Sequence, residues 1–118
     1  HEGPAFAAMH SQLSTGLRSF ETVVEFLLAN AKTDPGAVFA GSVPYLELAG
    51  IVLAGWHMAR AMLVAVDDEA SDAPFYGAKI ATARFFAEHI LPRAAALETA
   101  IVSAKGGEGV YALAEDQF

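Results

Sequence analysis

The 118-residue sequence contains no cysteine, and this absence excludes several functions at once. Without thiols the chain has no disulfide, no thiolate nucleophile and no thiolate metal site. The composition is compatible with a reducing compartment, and we expect a cytoplasmic location. Cations are scarce as well, because seven Lys and Arg residues stand against fourteen Asp and Glu residues, for a net charge of −7. Phosphate backbones and anionic lipid surfaces attract cations, so we expect no nucleic-acid partner and no membrane partner.

Proline is also rare, and the residues that remain favour helices. Only five prolines occur, and alanine supplies much of the hydrophobic 54% of the chain. Alanine is the best helix former, so the composition indicates an all-α fold. The length suits one domain, which we assign to residues 1–118. The chain does not begin with Met, which we interpret as a sign that it is a module of a longer polypeptide.

The spacing of apolar residues predicts three long helices. The first spans about Pro4 to Lys32, because its apolar side chains recur at steps of three and four. That stripe consists of Phe6, Met9, Leu13, Leu17, Phe20, Val24, Leu27 and Leu28. Asp34 and Pro35 are typical of a helix start. We expect a helix that continues from Pro35 with a kink at Pro44; the alternative is a short piece over 36–39 and a new start near Pro44.

The second long helix, up to about Val66, is apolar on nearly every side, which predicts contacts on more than one face. Its length and hydropathy would suit a membrane span, but His57 and Arg60 near its middle favour a buried core helix. Gly50, Ala54 and Ala61 form a side of small residues that we expect to admit a neighbouring backbone. The acidic run 67–69 predicts the end of this helix.

The third long helix is expected to begin with Asp72 as its cap and to continue past Pro92 with a kink. Gly106 and Gly107 should end it, and residues 110–113 could add a last turn. Short connections make consecutive helices antiparallel. We therefore predict an up-down bundle of three long helices, with a possible fourth short one. The chain has more large apolar residues than three rods can cover, so we expect a homo-oligomer or contact with another domain.

The sequence offers no constellation of reactive groups. None of the four histidines (His1, His10, His57 and His89) has a second histidine three or four residues away. We expect His57 and His89 to be hydrogen-bonded at a helix surface or interface. The serines lack a strand-to-helix elbow, and the glycine-rich run 106–109 follows a helix instead of opening one. We therefore predict no catalytic, cofactor-binding or metal-binding residue in this chain.

Two groups of charged residues and one group of aromatic residues stand out. Lys79, Arg84 and Arg93 could form a basic ridge for a phosphorylated ligand, but solvation and pairing with Glu88 or other acidic residues is the favoured interpretation. Arg60 lies in an apolar helix, so we expect a carboxylate partner, with Glu47 and Glu88 as candidates. The aromatic residues that we expect to anchor the core or an interface are Trp56, Tyr45, Phe75, Tyr76, Phe85 and Phe86.

Three segments resemble a known family. They are PYLELAGIVLAGWHMARA (Pro44–Ala61), FYGAKIATARFFAEHILP (Phe75–Pro92) and LAEDQF (Leu113–Phe118). Together they are similar to the C-terminal-like helical domain of the acyl-CoA dehydrogenase superfamily, and the first helix agrees only in general character. The resemblance implies a larger enzyme that uses FAD to remove hydrogens from Cα and Cβ of an acyl-CoA, with a carboxylate as base.

In that family the base and the flavin-binding residues lie upstream of this domain, so no position of this sequence inherits their roles. The resemblance implies a non-catalytic module that packs on the dehydrogenase body or contributes to subunit contacts. The alternative is an autonomous helical module that binds a protein partner or an apolar ligand. A flavoenzyme body encoded upstream would favour the first hypothesis, and a start codon would favour the second.

Overall fold

A computed structural model describes residues 3–103 and 113–117, and these residues fold into five α-helices without a strand. The helices are α1 (Pro4–Asn30), α2 (Pro35–Ala40), α3 (Ser42–Asp68), α4 (Ala73–His89) and α5 (Arg93–Val102). Short 3-10 turns cover Glu69–Ser71 and Glu115–Gln117. The predicted all-α bundle is confirmed.

Three rods build the bundle. The first is α1, the second is α3, and the third is α4 followed by α5, with α1 and α3 each packed against the other two rods. Residues at the start of α1 cluster with residues at the end of α3, as Met9 does with Met62. Residues near the end of α1 cluster with residues near the start of α3, as Val23 does with Leu48. The helices α1 and α3 are therefore antiparallel.

The core consists of two hydrophobic clusters, one toward each end of the bundle. Met9, Met62, Ala83, Ala87 and Leu91 form the first cluster. The second cluster consists of Val23, Leu48, Val52, Ala94 and Ile101. Several of the residues that α4 and α5 contribute to these clusters are alanines, namely Ala83, Ala87 and Ala94. Because alanine is small, the helices approach closely but bury a modest area at each contact.

Two aspartates cap helices as the sequence predicts. The N–H of Ala37 donates to Asp34 Oδ1 at 3.3 Å, and the N–H of Phe75 donates to Asp72 Oδ1 at 3.2 Å. Each cap satisfies a backbone donor that has no partner within its helix. The helix α3 ends at Asp68, within the acidic run that predicts its end.

The expected continuous helix with a kink at Pro44 is wrong. The chain instead breaks at Gly41, which separates the short α2 from α3. A methyl group added at Gly41 would lie 3.0 Å from Ile101 Cγ2 and 3.3 Å from Ile101 Cα, so glycine permits this close approach. Pro44 is the third residue of α3, where a backbone N–H has no intrahelical partner to lose. Proline at this position therefore does not interrupt α3.

At Pro92 the helical path is interrupted and then resumes. The helix α4 ends at His89, and α5 begins at Arg93. The N–H groups of Ile90 and Leu91 both donate to the Phe86 carbonyl, at 3.0 Å each. Pro92 has no N–H, and in this wider turn no helical hydrogen bond from residue 92 is needed. Leu91 lies in the core, where it is fully buried.

The small residues that admit a neighbouring helix are Gly16 and Gly55. Leu91 packs against both of them, since a methyl group added at Gly55 would lie 2.9 Å from Leu91 Cδ2. The predicted close approach at Gly50 is wrong, because nothing lies within 4 Å of a methyl group added there, and Ala61 is exposed. The predicted glycine stop at 106–107 and most of the predicted last turn lie outside the described residues.

The helix α3 is central in its contacts but not buried. The stretch Ser42–Ser71 is long and apolar enough by composition to cross a membrane, and within its most apolar window 28% of the residues are buried inside the protein. A core helix passes the same test, so this finding is weak evidence for a membrane span. The expected buried core helix is found only in part, because the described residues cover one side of α3 and leave the other exposed.

Candidate functional site

The described residues contain no group of three or more His, Asp or Glu side chains that could hold a metal ion. His57 and His89 are exposed at helix surfaces and contact aromatic rings. The ring centroid of His57 lies 4.8 Å from that of Trp56, and His89 lies 4.7 Å from Phe85. Their predicted surface position is confirmed, but ring contacts take the place of the expected hydrogen bonds. His1 lies outside the described residues.

The three cations of the possible basic ridge do not converge on one site. Arg84 Nε donates to Glu88 Oε1 at 2.8 Å, four residues along the same helix. Lys79 Nζ lies 5.1 Å from the centroid of the Phe75 ring, and Arg93 is exposed. These contacts support the interpretation of solvated and locally paired cations.

Arg60 does not have the expected carboxylate partner among the described residues. Its guanidinium lies over the Trp56 ring, with Cζ 4.9 Å from the ring centroid. The expectation rested on a buried α3, but Arg60 lies on the exposed side of that helix. An exposed guanidinium keeps its water and needs no buried counter-ion.

The six predicted aromatic anchors divide into two groups. Tyr45, Tyr76 and Phe86 are half-buried; Tyr45 stacks on Phe20 at 6.1 Å between centroids, and Phe86 packs against the first core cluster. The other three are exposed, at 43% for Trp56, 50% for Phe75 and 58% for Phe85. The exposed group has no core role among the described residues, so its role as an interface anchor stays a prediction.

A concave apolar surface lies between α1 and α3. It consists of two depressions that share Leu17, with volumes of about 220 and 470 Å³. The first depression is lined by Phe6, Met9, His10, Leu13, Ser14, Leu17, Ala59, Met62 and Leu63. Leu17, Phe20, Ala49, Val52, Leu53 and Trp56 line the second. We call the two depressions together the α1–α3 groove.

The groove accounts for the width of the apolar stripe on α1. The predicted stripe includes Leu17 and Leu28, yet both are exposed, whereas the fully buried positions of α1 include Ser19 and Val23. The buried face of α1 is thus rotated away from the centre of the stripe. The stripe residues Phe6, Met9, Leu13, Leu17 and Phe20 line the groove, whereas Leu28 is exposed outside it, and sequence periodicity alone does not distinguish these positions.

The groove lacks the groups that a dinucleotide cofactor such as FAD would need. Of the side chains that line it, only His10 and Ser14 are polar. A flavin cofactor also carries a pyrophosphate, which is held by backbone N–H groups at a glycine-rich turn or by cations. The donor set of the groove therefore does not fit FAD. Its chemistry fits an apolar surface with few polar groups.

Comparisons with known proteins agree with the resemblance. The chain is 38% identical over 91 residues to the 3-methylmercaptopropionyl-CoA dehydrogenase of Ruegeria pomeroyi. That match covers 75% of this chain but 16% of the relative, so the chain spans a small part of the relative's length. No solved structure gave a significant match. Residues 1–109 match the profile of the family described as acetyl-CoA dehydrogenase C-terminal like, and the chain belongs to this family.

Proposed function

We propose that this chain is a non-catalytic helical module that packs on the catalytic body of an FAD-dependent acyl-CoA dehydrogenase. The single observation that carries the proposal is the family match over residues 1–109. The relative supports it, because its name describes an acyl-CoA dehydrogenase and most of its length lies outside the matched region. In the parent enzyme, FAD would accept the hydrogens removed from Cα and Cβ of an acyl-CoA thioester.

The physical character of the chain supports a packing role. The chemistry of this reaction requires a carboxylate base close to the acyl group and a site for the flavin. The groove of this chain presents neither, because its lining is apolar apart from His10 and Ser14. Large apolar side chains remain uncovered on α3, including Leu53 and Trp56. Such a surface is stabilised by contact with another domain or subunit.

The test compares three proteins: the polypeptide encoded by the native reading frame, the same polypeptide without residues 1–118, and the 118-residue chain alone. Flavin absorbance at about 450 nm and acyl-CoA oxidation are measured for each. We expect flavin and activity in the native polypeptide and neither in the isolated chain. The deleted polypeptide should retain flavin but unfold at a lower temperature or lose its native oligomeric state, since it loses a packing partner.

Three results would overturn the proposal. The isolated chain could bind stoichiometric flavin, or it could oxidise an acyl-CoA without the body. The native reading frame could also encode no flavoenzyme, which would favour an autonomous module. Adding the isolated chain back to the deleted polypeptide provides the control, because restored thermal stability shows that the loss came from the missing contact and not from a misfolded truncation.

A further inference from the structure

We propose that the α1–α3 groove binds an amphipathic α-helix that carries carboxylates beside its apolar stripe. The inference rests on the proposed function in one respect, namely that it places this helix in the dehydrogenase body. The recognition itself is argued from the shape, the charge and the exposed side chains of the groove. An apolar patch alone would indicate only an apolar partner. The shape, the charge and the exposed side chains together indicate a helix with acidic residues beside its apolar stripe.

The shape of the groove matches a helix. It lies between two helices that pack along their length, and it extends along α1 from Phe6 to Phe20. These fourteen steps correspond to about 21 Å, or roughly four helical turns. A furrow between two packed helices accepts a third rod, as in helical bundles and in grooves that bind amphipathic helices. In the described part of the chain, α4 and α5 pack on the other side of α1 and α3, and the groove is lined by α1 and α3 alone.

The charges near the groove specify the flanks of that helix. Residues 3–20 of α1 and its N-cap include no carboxylate, and neither do residues 48–66 of α3. The charged or titratable side chains in these ranges are His10, Arg18, His57 and Arg60, and the first carboxylates outside them in sequence are Glu2, Glu21, Glu47 and Asp67. A chain with a net charge of −7 thus keeps carboxylates out of this stretch. Charge complementarity favours a partner with acidic residues along its apolar stripe.

Trp56 and Arg60 provide the most specific contact. The guanidinium lies over the indole ring with Cζ 4.9 Å from the centroid, so the side chain is held beside the groove before any partner binds. An arginine held over a ring still presents its N–H groups to a carboxylate. Tryptophan and arginine are also the residue types most enriched among strong contacts at protein interfaces. We therefore expect a carboxylate of the partner to bind Arg60 next to the apolar contact with Trp56 and Leu53.

A second copy of this chain and an anionic membrane fit the groove less well. Two copies would bring together two bodies that each carry a charge of −7. Binding to a membrane surface buries a projecting apolar face in the lipid, whereas the depressions between α1 and α3 are concave. The amphipathic helix satisfies both the shape and the charge of the groove.

Trp56 is the single tryptophan of the chain and lies in the groove, so it reports binding directly. The probes are three synthetic peptides of about 18 residues with the same leucine stripe at helical spacing. One carries Glu beside the stripe, one carries Lys at the same positions, and one has the Glu peptide's composition in scrambled order. We expect the Glu peptide to shift Trp56 emission to shorter wavelength and to bind at least about tenfold more tightly than the other two.

Two variants with matched controls locate the contact. Arg60→Gln should weaken the Glu peptide about fivefold without weakening the Lys peptide, because it removes one surface charge. Its control is Lys79→Gln, which removes a cation that likewise lies over an aromatic ring, on α4. Leu53→Ala should weaken the Glu peptide about tenfold. Its control is Phe85→Ala, since both side chains are 58% exposed but only Leu53 lines the groove.

Each outcome decides the inference. Equal affinity for the Glu and Lys peptides would overturn it. So would a loss of affinity for the Glu peptide that is as large in Phe85→Ala as in Leu53→Ala. A Trp56 shift with vesicles of anionic lipid but not with peptide would instead assign the groove to a membrane. Dimerisation that blocks the groove would assign it to a second copy. Because these experiments use the 118-residue chain alone, their failure leaves the proposed function intact, whereas failure of the flavoenzyme test leaves helix binding intact.

Discussion

Substitution of Gly55 by alanine tests how the third rod packs against the other two. Gly55 is buried on α3, facing the junction between α4 and α5. A methyl group at this position would lie 2.9 Å and 3.3 Å from the two terminal carbons of Leu91, and 3.2 Å from Leu13 Cδ1. Leu91 is 1% exposed, so its side chain has no free space in which to retreat.

Two opposing effects set the magnitude for Gly55→Ala. Replacement of glycine by alanine inside a helix stabilises by about 1 kcal/mol through propensity. Insertion of a methyl group into a packed core costs about 1–3 kcal/mol, because the neighbouring side chains leave their rotamers. The steric cost exceeds the propensity gain at these distances. We therefore expect Gly55→Ala to lower the free energy of unfolding by about 1 kcal/mol.

Two glycines of the same chain serve as controls. Gly50 lies five residues away on α3 with nothing within 4 Å of an added methyl group, so Gly50→Ala should stabilise by about 1 kcal/mol. Gly16 is buried, but its nearest neighbour, Val52 Cγ2, would lie at the ordinary contact distance of 3.5 Å. Gly16→Ala should therefore stabilise as well. Urea unfolding followed by circular dichroism measures all three, and the propensity term cancels in the differences between them.

A second set of variants removes the Leu91 side chain, which a methyl group at Gly55 would contact. Leu91→Ala alone should cost about 2–5 kcal/mol, because it leaves a cavity in the first core cluster. In that background Gly55→Ala should become stabilising, since its methyl group then enters the vacated space. The coupling free energy between the two sites should be about 2 kcal/mol. A stabilising Gly55→Ala in the native background, or additive effects of the two changes, would refute the packing described for Leu91.

Three further changes have expected outcomes of different sizes. Asp72→Ala should destabilise by about 1 kcal/mol in thermal unfolding, because α4 loses its N-cap; rescue by Asn or Ser would show that the cap is responsible. Arg84→Ala should cost less than about 0.5 kcal/mol, since its ion pair with Glu88 is exposed, and a larger loss would show a role beyond that pair. Ile101→Ala should cost about 2–5 kcal/mol, whereas Leu28→Ala, on the surface, should stay within about 0.5 kcal/mol.

Local chemistry allowed the starts of α2 and α4 and the end of α3 to be predicted from sequence. Asp34 and Asp72 cap their helices through bonds to a backbone N–H three residues later, a pattern visible in the sequence itself. The acidic run that begins at Asp67 likewise coincides with the end of α3. These signals depend on neighbouring residues only, so they do not require knowledge of the tertiary fold.

The sequence offered a break before Pro44 only as the less favoured alternative, because the contact that distinguishes the two possibilities is distant in sequence. Gly41 is held by the approach of Ile101, sixty positions later, and Pro44 is harmless because it lies in the first turn of α3. For the same reason the exposed side of α3 was interpreted as core. Hydropathy records how apolar a side chain is, whereas burial depends on which neighbours are present.

The residues that line the groove could not be predicted without the tertiary structure, for a related reason. The apolar stripe of α1 is continuous in sequence, but the third rod covers only its Val23 side and leaves Leu17 uncovered. An amphipathic helix with an apolar face wider than its intramolecular contact is typical of a helix with two partners. The sequence predicted uncovered apolar surface from the number of large apolar residues and from the central helix, whereas the structure shows which side chains of α1 and α3 are exposed.

The core and the groove meet at adjacent residues of α3. Gly55 faces inward against Leu91, and the next residue, Trp56, lines the groove. Leu13 contacts both regions, since it lines the groove and would lie 3.2 Å from a methyl group at Gly55. Leu91 and Leu13 both lie within 3.3 Å of the same methyl position, so we expect Gly55→Ala to move Leu13 as well as Leu91 and thereby to alter the lining of the groove. The glycine that lets the third rod pack closely thus lies directly behind the lining of the groove.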